Sequence, residues 1–268
     1  MKQTVAITGA SGAMGQALAQ GLQREEHPVL CLVRSPLGPD SRPFDLGDPL
    51  STSIDGVHTL VHLAWETADR SREAQDRSVA ATAKLARRSA EVGVRFLFVS
   101  TASILSQPRS MYAEAKREAE EIVLEAGGTV VRPGLMVGRG ASGLWNSLER
   151  LARLPVTPVP RSLRVFVVTV PELVGGLCAT LSGSPAVRRT HHSVKLTDVL
   201  RYADAVPLPV PVPVRLLSAT AKRLRRRISF ADSLLGILAT PLQVTDDEET
   251  RYLTSSSSEL LAIDRTGR

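Results

Sequence analysis

The sequence predicts an α/β fold, a doubly wound parallel sheet followed by a smaller C-terminal α/β lobe. Over residues 1–138, short segments rich in β-branched residues alternate with amphipathic segments of helical length. A glycine-rich turn joins the first strand to the first helix. The strands are apolar at consecutive positions, as expected for a sheet that helices cover on both faces.

Strands and helices alternate regularly along the first half of the chain. A third, weak strand is predicted near Phe44, because residues 35–53 are rich in Pro, Gly and Asp. The other strands are predicted at 4–8, 29–33, 59–63, 96–100 and 129–132, and the helices at 14–24, 75–92 and 112–125. Helices that join apolar strands form βαβ units, which place the strands parallel.

The second half, residues 139–268, has a less regular pattern and is expected to form the smaller lobe. Helices are predicted at 144–154 and 171–181, and a strand at 164–168. Residues 206–213 alternate proline with apolar residues, which predicts an extended segment that runs over the surface. Residues 215–228 carry an apolar stripe at helical spacing, which predicts an amphipathic helix.

Composition limits the classes of protein that this chain can represent. It has 268 residues, of which 43% are apolar, and a net charge of +6, which excludes disordered and disulfide-scaffold proteins. Cys31 and Cys178 lie far apart, so neither a disulfide framework nor a metal site is predicted. Without a signal-peptide pattern or an apolar run of the ~20 residues that span a bilayer, a cytoplasmic protein is expected.

The glycine-rich turn, Thr8-Gly9-Ala10-Ser11-Gly12-Ala13-Met14-Gly15, ends the first strand and opens the first helix. Gly9 suits a sharp exit from the strand, Gly12 lets a diphosphate approach the backbone, and Gly15 lets the helix pack closely on the sheet. The helix N-terminus adds unpaired N–H groups and a positive dipole end. A dinucleotide site is therefore predicted at Gly9, Ser11, Gly12, Ala13, Met14 and Gly15.

With this GxxGxxG spacing the sequence resembles the short-chain dehydrogenase/reductase superfamily, in particular its extended and atypical branches, which include the NAD-dependent epimerase/dehydratase family. The resemblance covers residues 4–138. It implies an NAD(P)-binding Rossmann domain at 1–138, with a substrate lobe at 139–268 packed on it. It also implies hydride transfer between nicotinamide and a small-molecule substrate, either a carbonyl or alcohol compound or a nucleotide sugar.

The residue after the second strand indicates which cofactor is bound. Dinucleotide sites usually carry an acidic residue there that binds the ribose hydroxyls, but this chain has Arg34. A guanidinium attracts a 2′-phosphate that a carboxylate would repel. NADP(H) is therefore predicted as the preferred cofactor, with NAD(H) as the alternative. Arg34 could also be a solvated surface residue without a role in binding.

The resemblance alone implies three further cofactor contacts. The pair Asp45 and Leu46 matches the Asp-Leu pair that contacts the adenine. The pair Leu63 and Ala64 ends a His-Leu-Ala segment that backs the ribose and nicotinamide in the family, and the histidine itself is a poor catalytic candidate. The Arg-Pro-x-x-x-x-Gly segment, with Pro133 and Leu135, is expected beside the nicotinamide.

Tyr112 and Lys116 form a Tyr-x-x-x-Lys pair on a predicted helix, where residues four apart share a face. A nearby ammonium stabilises the phenolate and lowers the tyrosine pKa, so the pair can exchange a proton with a substrate oxygen. The family carries a hydroxyl residue before this pair that orients the substrate carbonyl. Thr101 matches that position and Ser100 is the alternative, so Thr101, Tyr112 and Lys116 are the predicted catalytic residues. Tyr112 and Lys116 are also predicted to contact the cofactor.

Two departures from the family pattern leave the activity open. Tyr112 follows Thr101 by only 11 residues, and Ser78 stands where the family often has asparagine. Neither the substrate nor the choice between reductase and epimerase is therefore predicted. The alternative function is a non-catalytic dinucleotide-binding sensor or assembly protein, and a homodimer is compatible with either function.

The densest positive charge, Lys-Arg-Leu-Arg-Arg-Arg, occupies residues 222–227 within the predicted amphipathic helix from Arg215 to Ile228. A docked helix with a solvated basic face explains it most simply. Contact with an anionic membrane surface and attraction of a phosphorylated substrate are the alternatives. Nucleic acid is not an expected partner, because no aromatic residues are interleaved with the basic ones.

Overall fold

A computed structural model describes residues 2–210 apart from 37, 70, 106–109, 139, 142–143, 153–154, 156, 161–163, 182–186, 191 and 204–205. The predicted helix from Arg215 to Ile228 lies outside the described residues. The predicted α/β fold is confirmed, since the first half of the chain forms a parallel sheet flanked by helices. None of the helices in the described ranges is long and apolar enough to cross a membrane.

The main sheet contains six strands that run parallel to one another. They are β1 (Val5–Thr8), β2 (Val29–Val33), β3 (Ser41–Pro43), β4 (Thr59–His62), β5 (Arg95–Val99) and β6 (Thr129–Pro133). Their order in the sheet is β6-β5-β4-β1-β2-β3. The strand order reverses between β1 and β4, the point at which doubly wound sheets bind ligands beyond the carboxyl ends of their strands.

The helices of this half are α1 (Ala13–Arg24), α2 (Arg72–Glu91) and α3 (Met111–Glu125). Helix α2 begins three residues before the predicted start at 75, because the Ser71 hydroxyl accepts the N–H of Ala74 and caps an earlier turn. The third strand ends just before Phe44 rather than including it, and the Phe44 side chain is buried in the core.

The chain divides into two compact units. The first comprises Met1–Ser100, Glu114–Arg132 and Pro171–Arg188, and the second comprises Thr101–Ala113, Pro133–Val170 and Arg189–Arg268. The first unit includes most of the parallel sheet, helices α1 and α2, and most of α5 (Val170–Leu181). Its core packs apolar side chains of the strands against those of the helices, including Leu60, Phe98, Val79, Leu85 and Val123.

Short strands and helices make up the second unit. It includes β7 (Leu135–Val137), α4 (Leu144–Ala152), β8 (Thr157–Pro160), β9 (Arg164–Thr169), β11 (His192–Lys195), α6 (Leu196–Tyr202) and β12 (Pro207–Val210). One sheet has the order β11-β9-β7, and Trp145 packs against Tyr202 with 5.7 Å between ring centroids. The remaining strand, β10 (Val187–Thr190), lies next to β6 at the edge of the main sheet.

The Pro-Val segment is extended, as predicted, but part of it is a strand that pairs in parallel with β8 rather than a free surface segment. Each proline on one strand faces a different residue type on the other, as in Leu208 opposite Pro158 and Pro209 opposite Val159. Because proline lacks an N–H, this alternation leaves donors at every second position to pair the two strands.

Candidate active site

The carboxyl ends of the parallel strands meet at one edge of the main sheet. The register places Thr8 opposite both Leu32 and His62, and His62 opposite Phe98. Predicted site residues of the first unit follow these strand ends, namely Gly9 after β1, Arg34 after β2, Leu63 and Ala64 after β4, and Ser100 after β5. The fold therefore gathers them at the edge where ligands of such sheets bind.

Two glycines of the turn are required by close backbone contacts. Gly9 has a φ of +69°, and a Cβ there would lie 3.0 Å from the amide nitrogen of Ala64. A Cβ at Gly15 would lie 2.6 Å from the Cα of Ala10. Gly12 differs, because its residue is exposed and only the Gly9 carbonyl oxygen lies near its Cβ position, at 3.3 Å. Gly12 therefore leaves the outer face of the turn open.

Helix α1 begins without a side-chain cap. Gly12 is its N-cap residue, and the first turn contains no acidic side chain. The first N–H groups of a helix have no partner within the helix, and they form the positive end of its dipole. The exposed turn at Ser11 and Gly12 thus fits the diphosphate of a dinucleotide, which supplies the acceptors and negative charge that this helix end lacks.

A chain of hydrogen bonds fixes the segment that faces the turn. The Thr8 hydroxyl accepts the N–H groups of Leu63 and Ala64, both at 3.1 Å, and lies 2.7 Å from Nδ1 of His62. With both lone pairs occupied, the hydroxyl donates to Nδ1, so the His62 proton lies on Nε2 and is donated to Thr82 at 3.1 Å. The ring joins β1, β4 and α2.

His62 is neutral and has no contact with solvent. Burial, and to a smaller extent the positive charge of Lys116, lower the pKa of His62 to about 3. A histidine with both ring nitrogens in buried hydrogen bonds is poorly placed to exchange protons with a substrate. Its role is to hold the turn between Thr8 and the end of β4.

Lys116 is buried, with 3% of its surface exposed. Its ammonium donates to the carbonyl oxygen of Val99 at 2.8 Å. The same nitrogen lies 3.9 Å from the centre of the Trp65 ring and 4.5 Å from that of Phe98. Burial lowers the pKa of Lys116 to about 7, although the Glu120 carboxylate acts in the opposite direction. The amine can therefore change its charge near neutral pH.

A buried ion pair ties α3 to β6. The Arg132 guanidinium binds Glu120 through Nε at 2.9 Å and Nη2 at 2.6 Å, both to Oε2. The Glu120 side chain is 3% exposed and that of Arg132 is 16% exposed. This two-point contact fixes the rotation of α3 relative to β6, and with it the direction from which Lys116 enters the core.

Tyr112 lies in the first turn of α3, one helical turn before Lys116. The Ser110 hydroxyl accepts the N–H of Ala113 at 3.1 Å and caps the helix, which sets where its first turn begins. The tyrosine is half-buried. Tyr112 belongs to the second unit and Lys116 to the first, since the division falls within this helix.

The two candidate hydroxyls after β5 differ in their hydrogen bonds. Thr101 Oγ1 accepts the N–H of Ser103 at 3.2 Å and donates to the Ser103 hydroxyl at 3.1 Å, so it forms a local turn. Ser100 is buried, and its hydroxyl has no hydrogen-bond partner among the described residues. A buried hydroxyl without a partner is rare in proteins and has a free donor for a ligand atom.

The remaining predicted cofactor residues are placed as follows. Arg34 is exposed one residue beyond β2. Asp45 is exposed and accepts the N–H of Gly47 at 2.6 Å, while Leu46 is half-buried beside the core. Pro133 ends β6 and Leu135 begins β7. These last two residues and Thr101 belong to the second unit, whereas the glycine turn, Arg34, Ala64 and Lys116 belong to the first.

Sequence reasoning missed the aromatic residues around Lys116. Trp65 directly follows the His-Leu-Ala segment, and Phe98 lies in the strand before the candidate hydroxyls Ser100 and Thr101. The missing signal is tertiary, since Trp65, Phe98 and Lys116 come from three separate segments. The single sequence clue is a tryptophan at the end of a buried strand in a chain with only two tryptophans.

Comparison with protein families gives one match over the first half of the chain. The model of the family described as "NAD dependent epimerase/dehydratase family" matches residues 5–152. The ceramide reductase of Caulobacter vibrioides is 31% identical over 189 residues, which are 65% of this chain and 60% of that protein. The chain therefore spans less than two thirds of the length of this relative.

Solved structures resemble the chain in fold. The UDP-N-acetylglucosamine 4-epimerase of Bacillus cereus has a TM-score of 0.66 and 17% identity, covering 79% of this chain and 86% of that one. The dTDP-4-dehydrorhamnose reductase of Bacillus anthracis, solved in complex with NADP, has a TM-score of 0.62 and 17% identity over 78% and 85%. At these identities the likeness shows the fold alone.

Proposed function

Because the chain belongs to the NAD-dependent epimerase/dehydratase family, we propose that it is an NADP(H)-dependent reductase. It reduces a carbonyl compound with Tyr112 and Lys116 as its acid–base pair. One observation carries the proposal: a buried lysine with a pKa of about 7 lies one helical turn after a tyrosine. Burial of a lysine is costly, and perturbed lysines of this kind are typical of sites where protons move.

The glycine turn and the N-terminus of α1 would hold the cofactor diphosphate. Arg34 would pair with the 2′-phosphate of NADP(H), because its guanidinium is exposed at the end of β2 where NAD-binding proteins carry an acid. Asp45 and Leu46 would contact the adenine. Leu63 and Ala64, fixed by the Thr8 hydroxyl, would back the ribose and nicotinamide.

When bound, the nicotinamide supplies the hydride that is added to the carbonyl carbon. The Tyr112 phenol gives its proton to the carbonyl oxygen, which becomes the alcohol, and the phenolate that remains is stabilised by the Lys116 ammonium. Thr101 orients the carbonyl with a hydrogen bond once its hydroxyl proton turns away from Ser103, and Ser100, whose hydroxyl has no partner among the described residues, is the second candidate for that role. Pro133 and Leu135 would lie beside the nicotinamide.

The protonation of Lys116 sets the expected pH dependence of the reduction. Below about pH 7 the amine is charged and stabilises the phenolate, and the charge is lost as the pH rises through this value. The reductive rate is therefore expected to fall above neutral pH. Because tyrosine and lysine titrate as a coupled pair, the measured midpoint belongs to both groups.

Two observations favour a reductase over an epimerase. Arg34 fits a 2′-phosphate, and NADPH is a cofactor that a reductase exchanges after each turnover. The relative with 31% identity is a ceramide reductase. The proposed substrate is a carbonyl compound of unspecified class, so a test must include lipid ketones as well as keto sugars.

The proposal is tested by following NADPH consumption with a panel of ketones that contains ceramide-type lipids, small ketones and keto nucleotide sugars. We expect turnover with at least one class, and a loss of about 10²- to 10⁴-fold in Tyr112→Phe with unchanged NADPH affinity. Conversion between UDP sugars without net NADPH consumption would identify an epimerase instead. Tight NADPH binding without any turnover would identify a non-catalytic dinucleotide-binding protein.

A further inference from the structure

Of the two aromatic rings that contact the Lys116 ammonium, the ring of Trp65 lies nearer. Trp65 lies three residues beyond the end of β4 and is half-buried. Its ring centre is 3.9 Å from Nζ of Lys116, and the Phe98 ring lies on a second side of the same nitrogen at 4.5 Å. The two rings are 5.9 Å apart and inclined at 43°. The ammonium therefore contacts two aromatic rings.

The indole is held in this orientation from α2. Its Nε1 donates to the side-chain oxygen of Gln75 at 2.8 Å. The Gln75 amide nitrogen in turn donates to the carbonyl oxygens of Glu66 and Asp69, at 3.1 and 3.2 Å. Gln75 is 1% exposed, so its own position is fixed. A buried, fully engaged amide thus sets the plane of the ring.

A buried ammonium has lost the water that stabilises its charge. The faces of aromatic rings carry negative potential that replaces part of this solvation, and tryptophan is the most effective ring. Three other titratable groups among the described residues bear on this ammonium. Glu120 acts on Lys116 but is engaged by Arg132, Tyr112 precedes it on the same helix, and His62 is neutral.

We propose that Trp65 is a positioning residue that holds the Lys116 ammonium at the end of β5 and maintains its positive charge for catalysis. The proposal rests on the proposed function in one respect, since it assigns a purpose to that charge. It also explains why a tryptophan, rather than a smaller apolar residue, follows the His-Leu-Ala segment. The ring acts through Lys116 and does not itself contact the reacting atoms.

The protonation of Lys116 can be measured without a substrate. The chain has five lysines, Lys2, Lys84, Lys116, Lys195 and Lys222, so lysine labelled with a heavy carbon isotope at Cε gives few NMR signals. The Lys116 signal is identified by its absence in Lys116→Arg. In Trp65→Leu, the site stays apolar but loses its π face, and we expect the titration midpoint of Lys116 to fall by about one pH unit.

Matched variants separate the ring from simple packing. Trp65→Phe keeps an aromatic face and is expected to give a smaller decrease than Trp65→Leu. Trp145→Leu removes the other tryptophan, which packs against Tyr202 in the second unit, and is expected to leave the midpoint unchanged. If Trp65→Leu does not fold, Trp65→Met applies the same test with a longer apolar side chain.

An unchanged midpoint in the Trp65 variants, or one that rises because water enters, would overturn the proposal. Its failure can be told apart from that of the proposed function. If the midpoint falls as expected but no carbonyl compound is reduced, Trp65 maintains the charge and the reductase assignment is wrong. If a ketone is reduced and the titration midpoint of Lys116 does not move, the reductase assignment stands and the proposed role of Trp65 is wrong.

Discussion

The glycine turn and the surroundings of Lys116 belong to the same unit, yet the sequence specifies them in opposite ways. The turn depends on what residues 8–15 lack: side chains at Gly9 and Gly15 that would strike the backbone, and a capping side chain at Gly12. The two glycines and the missing cap lie within one short segment, although the backbone that a Cβ at Gly9 would strike belongs to Ala64. The proposed dinucleotide site can therefore be recognised from a local pattern in the sequence.

Lys116 depends instead on what distant segments supply. Its nitrogen contacts the Val99 carbonyl, and its neighbours Trp65 and Phe98 come from two other segments. Helix α3 itself is held by an arginine of β6. If the proposed function is right, cofactor binding and proton transfer should therefore be separable by mutation. Three changes, with expected effects of decreasing size, test the two regions.

The largest effect on stability is expected where the support of α3 is removed. Glu120→Gln breaks a buried ion pair and leaves the Arg132 charge uncompensated, which should cost about 3–5 kcal/mol. Urea unfolding measures the change. Glu121→Gln on the same helix is the control, because the Arg117–Glu121 pair is exposed and worth about 0–1 kcal/mol. Equal losses of unfolding free energy in the two variants would show that the Glu120–Arg132 pair does not stabilise the fold more than an exposed pair does.

Lys116→Met is expected to stabilise the fold while it abolishes turnover. Burial lowers the lysine pKa to about 7, so in neutral solution the folded chain bears the cost of a buried charge that methionine lacks. The gain should be about 1–3 kcal/mol near pH 7 and below. It should vanish as the pH approaches the ordinary lysine pKa of about 10.4, because the unfolded chain then also releases this proton and folding no longer requires its loss.

Thermal unfolding of wild type and Lys116→Met between about pH 7 and pH 10 measures the sign of their stability difference and its change with pH. A variant that is less stable at neutral pH, or a difference that grows with rising pH, would contradict a buried lysine of lowered pKa. The variant should still bind NADPH, since the glycine turn is unchanged, with at most a modest loss of affinity from the cofactor contact predicted for Lys116.

The smallest effect concerns the choice of cofactor. Arg34→Ala should weaken NADPH binding about tenfold, because one charge-assisted contact to the 2′-phosphate is lost, and should leave NADH binding unchanged. Fluorescence titration with each cofactor measures both values. Arg77→Ala, which removes an exposed arginine of α2, is the control. Equal weakening of NADPH and NADH in Arg34→Ala would remove the basis for preferring NADP(H).

The parts of the fold that sequence could predict are those encoded by nearby residues. The strand Val29–Val33 was predicted at its observed bounds, and α1 within one residue of its start, because apolar strands and glycine turns leave local patterns. The strands β7, β8, β10 and β11 were not predicted. They have three or four residues each, too few to establish a period, and β8 contains two prolines.

The same limit applies to the candidate site. Tyr112 and Lys116 were predicted from their spacing on one helix, which is local information. The ring of Trp65 and the support of Glu120 by Arg132 depend on which segments the fold brings together, and spacing along the chain does not encode this. The hydroxyl after β5 is intermediate, since sequence narrows it to Thr101 or Ser100 and their hydrogen bonds distinguish them.

Transfer of deuterium from the nicotinamide ring tests most directly that this chain performs hydride chemistry at Tyr112. The protein is incubated with the ketone panel and NADPH deuterated at the transferred position, and the masses of the alcohol products are measured by mass spectrometry. We expect deuterium on the product carbon with the wild type and none with Tyr112→Phe, which should still bind NADPH. Bound NADPH that never transfers deuterium, or equal transfer by both proteins, would contradict the assignment.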